Sequence, residues 1–229
     1  MKTRILFVIA TLVLSVTALQ AQVSFGVVAG PNFQNVTGKD HYGDKLDNGL
    51  LVGFHAGAKV IIPFANDFGF QSGILVSQKG SKNNDIFFTT KSSGSDYTTT
   101  TRITFLELPL NLIFRPEFLN GHILLGFGPY IAVGIGGKQK ADASPFIYEQ
   151  KIKFKNKITF DEYWDVDHAY YRPFDAGANI FAGYELDMGL YFQLNAQMGL
   201  LKINPEIEEA DDEAVYKNTG FGLSIGYNF

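Results

Sequence analysis

The sequence predicts an all-β chain folded as an eight-stranded antiparallel up-and-down transmembrane β-barrel. Three observations carry this. Apolar and polar residues alternate with period two in eight segments. The connections between those segments alternate between short and long. The face opposite the apolar one is crowded with glycine and holds few charges. Composition agrees: 46% of the 229 residues are hydrophobic and 18% charged, with 24 Gly, 21 Phe and 11 Tyr against one Trp. Period two is the strand signal, aromatics favour pleated surfaces, and glycine in strands marks close backbone approach.

The first 21 residues read as a secretory signal peptide. Lys2 and Arg4 precede an apolar core, 5–16, that is too short to span a bilayer comfortably, and Ala21 is the expected last residue removed. The expected organisation is therefore a signal peptide over 1–21 and one barrel domain over 22–229. The chain has no cysteine, which excludes disulfides, thiolate catalysis, Cys-ligated metals and a lipoprotein anchor. A formal net charge of −4 argues against a nucleic-acid partner.

The eight segments follow in order, apolar set first. In 23–30, Val23, Phe25, Val27 and Ala29 alternate with Ser24, Gly26 and Gly30. In 50–62, Val52, Phe54, Ala56, Ala58, Val60 and Ile62 alternate with Gly53, His55, Gly57 and Lys59. In 68–79, Phe68, Phe70, Ile74 and Val76 face away from Gln71, Gly73, Ser77 and Lys79. In 103–114, Leu106, Leu108, Leu110, Leu112 and Phe114 oppose Phe105, Glu107, Pro109 and Asn111. In 122–136, Ile123, Leu125, Phe127, Ile131, Val133 and Ile135 oppose Gly126, Gly128, Tyr130, Ala132, Gly134 and Gly136. In 174–186, Phe174, Ala176, Ala178, Ile180, Ala182 and Tyr184 oppose Asp175, Gly177, Asn179 and Glu185. In 190–201, Leu190, Phe192, Leu194, Ala196 and Met198 oppose Tyr191, Gln193, Asn195 and Gln197. In 219–229, with a start as early as Val215, Phe221, Leu223, Ile225, Tyr227 and Phe229 oppose Gly220, Gly222, Ser224, Gly226 and Asn228.

Short connections lie at 63–67, 115–121 and 187–189; long polar ones lie at 31–49, 80–102, 137–173 and 202–214. In an up-and-down barrel, alternate loops emerge at the same rim, and outer-membrane barrels have short periplasmic turns and long extracellular loops. The minority face decides which side meets lipid. As an outer surface in water it would lack charge; as the lumen of eight strands, its small residues fit an interior just wide enough for side chains. The majority face is large and apolar, which suits lipid. Phe25, Phe64, Phe68, Phe70, Phe114, Phe118, Tyr184, Phe192, Tyr227 and Phe229 gather near the short-turn rim, as an interfacial aromatic girdle does. A sheet edge in hydrocarbon would leave backbone groups unpaired, so the sheet must close.

The segments FLELPLNLIF (105–114), ILLGFGPYIAVGIGG (123–137), FDAGANIFAGYEL (174–186) and FGLSIGYNF (221–229) resemble the PorT-like outer-membrane β-barrel family of Bacteroidota over the whole mature chain. The resemblance implies an eight-stranded barrel in the cell outer membrane of a Gram-negative envelope, reached by Sec export. It implies little about activity, and no motif here carries over the secretion role of one namesake.

Lys59, Lys79, Glu107, Asp175 and Glu185 fall on the inward phase, and buried charges need partners. The expected lumen polar network centres on Glu107 and Lys59, with His55 and Tyr130 nearby and Asp175 and Glu185 as further members. Such a network plugs a small barrel; a narrow porin-like channel is the alternative. The acidic stretches 161–171 and 205–214 lack the turn glycine and spacing of a twelve-residue calcium loop and read as a solvated acidic surface. His168, beside Asp165 and Asp167, is the local candidate for a loop-based enzyme, but it has no positioned nucleophile. No catalytic residue, metal or cofactor is expected. The loop 137–173 is rich in aromatics, and its KIKFKNKITF (151–160) alternates. It reads as a strand pair beyond the membrane, with aromatics that either cap the mouth or meet a protein partner. Tyr227 and Phe229 form a terminal aromatic strand of the kind read by the outer-membrane assembly machinery. The expected function is a non-enzymatic integral outer-membrane protein, surrounded by outer-membrane lipid, that presents extracellular loops for binding or supports envelope integrity.

Overall fold

The computed structural model of the chain describes residues 23–83, 98–143, 146–208 and 213–229. The expected signal peptide lies outside the described residues. The elements are β1 (Ser24–Lys39), β2 (Leu51–Pro63), β3 (Phe68–Asn83), β4 (Thr98–Phe114), β5 (Gly121–Ala143), β6 (Phe146–Phe154), β7 (Lys157–Ile158), α1 (Phe160–Tyr163), β8 (His168–Tyr171), β9 (Phe174–Leu186), β10 (Leu190–Gly199), β11 (Glu206–Ile207) and β12 (Val215–Asn228). No helix among the described residues is long and apolar enough to cross a membrane.

Eight strands close into a ring in chain order: β1, β2, β3, β4, β5, β9, β10, β12 and back to β1, every pair antiparallel. Closure removes the sheet edges, which is what a spanning sheet requires. The stagger can be walked residue by residue. Ile62 pairs with Phe70, then Leu112, Phe127, Ile180, Ala196, Phe221, Phe33 and Val52. One circuit therefore returns to β2 ten residues from its start. With rises of ~3.3 Å along a strand and ~4.8 Å between strands, that stagger tilts eight strands by about 40° to the axis.

The strands run further toward the long-loop rim than the alternation indicates. β1 continues to Lys39 through the stretch expected as loop, β3 to Asn83, β4 begins at Thr98, and β5 extends to Ala143. These additions read QNVTGK, GSKN, TTTTR and KQKADA. Beyond the lipid both faces meet polar surroundings, so no alternation marks the strand while its backbone ladder continues. Pro31 does not end β1. The pairing of β1 with β12 jumps from Ala29–Ile225 to Asn32–Gly222, whereas its pairing with β2 is unbroken, so the missing N–H falls at an existing interruption.

The outward sets, Phe25, Val27, Val52, Phe54, Leu106, Leu112, Phe127, Ile131, Ile180, Leu194, Leu223 and Ile225 among them, are exposed on the barrel wall. The inward face is not only small residues. Ile61, Ile113, Leu124, Phe181 and Tyr191 form a buried cluster toward the short-turn rim. A second cluster, of Ile103, Phe105, Tyr130, Ala132 and Ile152, lies toward the long-loop rim. Glycine makes the room. Phe181 faces Gly126, Tyr191 faces Gly226 and Tyr130 faces Gly177 directly across the ladder, and a methyl on any of the three glycines would overlap the ring.

Above the long-loop rim, β6 folds back along the upper part of β5, and β8 lies parallel beside β6. Ile152, Phe154 and Tyr171 of these strands pack onto the upper lumen cluster. The extension expected in 137–173 thus divides its aromatics, some capping the mouth and others turned outward.

Candidate functional site

The six lumen residues singled out by phase, His55, Lys59, Glu107, Tyr130, Asp175 and Glu185, are each buried inside the barrel. Five of them belong to three groups, and Lys59 sits apart from these over the ring of Tyr191. Around His55, Nδ1 lies 2.6 Å from Asn32 Oδ1 and Nε2 lies 2.8 Å from Ser224 Oγ. An amide oxygen only accepts, so Nδ1 carries the proton. Asn32 Nδ2 in turn donates to Ser77 Oγ at 3.1 Å. Three neighbouring strands, β12, β1 and β2, are tied on the lumen side of the wall through this imidazole.

The second group centres on Lys79. Its Nζ lies 2.9 Å from Glu107 Oε2 and 3.3 Å from Asp175 Oδ2, and 3.9 Å from the centre of the Tyr130 ring. One cation between two carboxylates leaves a net negative charge, which neutral donors share. Tyr130 Oη donates to Asp175 Oδ2 at 3.2 Å, Asn218 Nδ2 donates to the same oxygen at 3.0 Å, and Gln197 Nε2 donates to Glu107 Oε1 at 2.6 Å. Glu107 therefore takes Lys79 as its cation, and Lys59, the other expected central member, is placed elsewhere. The ammonium of Lys59 sits over the face of Tyr191, 3.5 Å from the ring centre, and the phenol end of that ring occupies the space that a side chain at Gly226 would fill.

The third group lies at the short-turn rim. Arg115 grips Glu185 with both arms of its fork, Nε to Oε2 at 3.0 Å and Nη2 to Oε1 at 3.0 Å. Arg115 lies in the expected short connection 115–121, yet it continues the odd inward phase of 105–113, so phase alone points to it. Asn32 and Gln34 fall in the stretch 31–49 expected as a loop, and Asn218 takes the inward phase only with the earlier start of the last strand at Val215. Between the groups the lumen keeps a cavity of about 70 Å³ lined by Gln34, His55, Lys59, Glu107 and Asn111, room for several waters.

The long-loop side is built as carefully. Asp165 braces the turn before β8: Oδ1 accepts from the amides of Asp167 (2.8 Å) and His168 (3.1 Å), and Oδ2 meets His168 Nδ1 (3.0 Å) and accepts from Tyr170 Oη (2.9 Å). The Asp167 amide first, with Tyr170 and His168, holds the Asp165 carboxyl down to about 2. Burial and the bond to Asp165 push the Tyr170 phenol up to about 12. Thr159 and Glu162 form a reciprocal capping box on α1, and Glu162 pairs with Lys155. Arg172 donates to Asn204 O at 2.9 Å and to Glu206 Oε1 at 2.7 Å, and β11 pairs with β7, so the described part of 202–214 is clamped onto the neighbouring loop. Phe160, Trp164 and Val166 remain exposed, with Trp164 edge-on to Tyr163 at 5.4 Å and Tyr163 edge-on to His41 at 6.1 Å. Among the described residues no cluster of three or more His, Asp or Glu is placed to hold a metal ion. Glu209, Asp211 and Asp212 of the acidic stretch lie outside them.

Tyr227 and Phe229 sit at the short-turn rim with rings 5.3 Å apart. Both are exposed, and the Phe229 amide donates to Phe25 O at 2.8 Å.

A family model described as outer membrane protein beta-barrel domain matches residues 20–204. No curated protein sequence matches the chain. Solved structures similar to it include the attachment invasion locus protein Ail of Yersinia pestis in complex with the heparin analogue sucrose octasulfate, at 15% identity, covering 90% of this chain and 99% of that one, with a TM-score of 0.40. Neisserial surface protein A is similar at 10% identity over 90% of this chain and 99% of that one, with a TM-score of 0.41.

Proposed function

The chain belongs to the outer membrane protein beta-barrel domain family, and on that premise we propose that it is a non-enzymatic outer-membrane protein whose barrel carries an ordered extracellular surface for binding a protein partner. One observation carries the reading: the lumen is filled while the long-loop side is structured. Tyr191, Phe181, Lys59 and the Lys79 group occupy the interior. By contrast β6, β8, α1 and β11 are bonded into a platform that leaves Phe160, Trp164 and Val166 outward. Exposed aromatics on a rigid support are what protein interfaces use. A filled eight-stranded lumen supports a plug formed by His55, Lys59, Glu107, Tyr130, Asp175 and Glu185 with their partners, over a narrow channel. Asp165 and His168 act here as a turn brace, which supports a non-catalytic role.

The proposal extends to biogenesis. Residues 1–21 direct Sec export and are removed, Tyr227 and Phe229 are read by the assembly machinery, and the chain is a PorT-like member of Bacteroidota envelopes. The test combines conductance with crosslinking. The purified protein in planar bilayers should show no steady single-channel current. A photo-crosslinker at Val166, in cells, should give one discrete adduct that the double variant Phe160→Ser and Trp164→Ser abolishes. Steady conductance, or crosslinking unaffected by those changes, would sink the reading.

A further inference from the structure

Strand β5 carries one residue more than β4 opposite it. Thr104 pairs with Gly136 and Phe105 with Gly134, leaving Ile135 between them as a β-bulge. A bulge shifts the side-chain alternation by one. Below it, Ile131 and Val133 face outward beside Leu108 and Leu106; above it, the outward set is Lys138 and Lys140, beside Arg102 and Thr100. Without the extra residue both lysines would turn toward the lumen mouth. Pairing carries the same face onto β6, where Lys151 lies opposite Lys138 and Lys153 follows two residues on. All four lysines are exposed.

The charges on this face are not balanced. Lys138 pairs with Glu149 at 2.6 Å, Lys155 pairs with Glu162, and Arg102 Nη1 is taken by Val52 O and Gln78 Oε1. Asp142 lies at the far end of the hairpin. Lys140, Lys151 and Lys153 make no ion pair among the described residues. The hydrogen bond from Lys138 lowers the Glu149 carboxyl below the usual range, and Lys140 and Lys151 add to it, as a positive field does.

Depth selects the ligand. From Ile123 to Ile135 the outward apolar run rises about 30 Å at the tilt derived above, close to the height of a barrel's lipid-facing band. Lys138 stands about 8 Å beyond Ile135 on the same wall, with Lys153 nearer the apolar band by the register of β6, at the level where lipid headgroups stand. We infer that the face formed by Lys138, Lys140, Lys151 and Lys153 binds the phosphates of phosphorylated glycolipid headgroups in the surrounding outer leaflet, and that the Ile135 bulge exists to aim it there. This rests on the outer-membrane placement and is independent of any protein partner.

The test uses the full chain in neutral detergent, with diphosphorylated lipid A as the probe and native mass spectrometry as the readout. A lysine at an anionic surface contributes roughly fivefold, so the triple variant Lys140→Gln, Lys151→Gln and Lys153→Gln should bind roughly 10²-fold more weakly. Glu149→Gln, which releases Lys138, should bind more tightly; this arm stands even if the triple variant fails to fold. Lipid A stripped of its phosphates should lose the affinity that the triple variant loses. Unchanged affinity in the triple variant, weaker binding by Glu149→Gln, or equal binding of the dephosphorylated lipid overturns the inference. So does soluble inositol hexaphosphate binding as tightly as the lipid, which would make the face a site for free polyanions.

Discussion

The phenol end of Tyr191 lies over Gly226, the residue directly opposite it on β12, and a methyl at that glycine would overlap it. The same ring supports the Lys59 ammonium on its face and donates its hydroxyl to Val27 O at 3.2 Å. One missing side chain thus seats an aromatic, which seats a cation, at the closed end of the lumen.

Gly226→Val should therefore destabilise the barrel by about 1–3 kcal/mol through overpacking. The measurement is the temperature at which the heat-modifiable band shifts on gels. Gly136→Ala is the matched control, because a Cβ there meets nothing within 4 Å. Equal behaviour of the two variants would show that the Tyr191 seat is not tight.

Lys79 is the cation of two buried carboxylates. Lys79→Met leaves Glu107 and Asp175 buried without their shared cation, and breaking a buried pair costs about 3–5 kcal/mol. Adding Glu107→Gln to that variant removes one of the two charges and should recover part of the loss. A urea midpoint for the single variant within error of the parent would mean that the group contributes nothing net.

Asp165 gives the pH dependence. Its carboxyl is held down to about 2, first by the Asp167 amide, so the folded turn favours the charged form. The stabilisation is complete above the ordinary value of 3.8 and is lost as pH falls through the folded value near 2. Trp164, the chain's single tryptophan, adjoins the turn and reports on it. Its fluorescence should change with a midpoint near 2 and not near 3.8, and Asp165→Asn should abolish the transition.

The barrel was legible because lipid imposes period two on every strand that crosses it. Strand Phe174–Leu186 is delimited by alternation alone, since both of its ends lie at the edge of the apolar band. The upper ends of β1, β4 and β5 were not legible, because QNVTGK, TTTTR and KQKADA have no apolar face to keep phase. The candidate lumen residues were legible as a set, because phase places a side chain inside. Their partners were not, since a ten-residue stagger decides which strands meet at one height, and stagger leaves no mark in a single strand. Hence Lys79, already seen as inward, was not matched to Glu107. The Ile135 bulge was equally silent, being two glycines around an isoleucine in a strand already rich in glycine.

The role proposed for Phe229 in assembly can be separated from any role in the finished barrel. In the folded protein its side chain is 77% exposed and touches the ring of Tyr227 edge-on, while its amide bond to Phe25 O survives any side-chain change. Phe229→Ala should therefore cost no more than the ~0.5–1.5 kcal/mol typical of one aromatic pair, leaving the heat-modifiability temperature of whatever barrel forms nearly unchanged. If the ring is read during insertion, the amount of assembled protein in the outer membrane should fall severalfold at equal expression, with unfolded chain accumulating in the periplasm. Appending a polar tail after Phe229 should produce the same loss with the ring intact. Normal yield in both variants would leave the terminal aromatic as a girdle residue only; a fall in yield matched by an equal fall in stability would assign it to the fold.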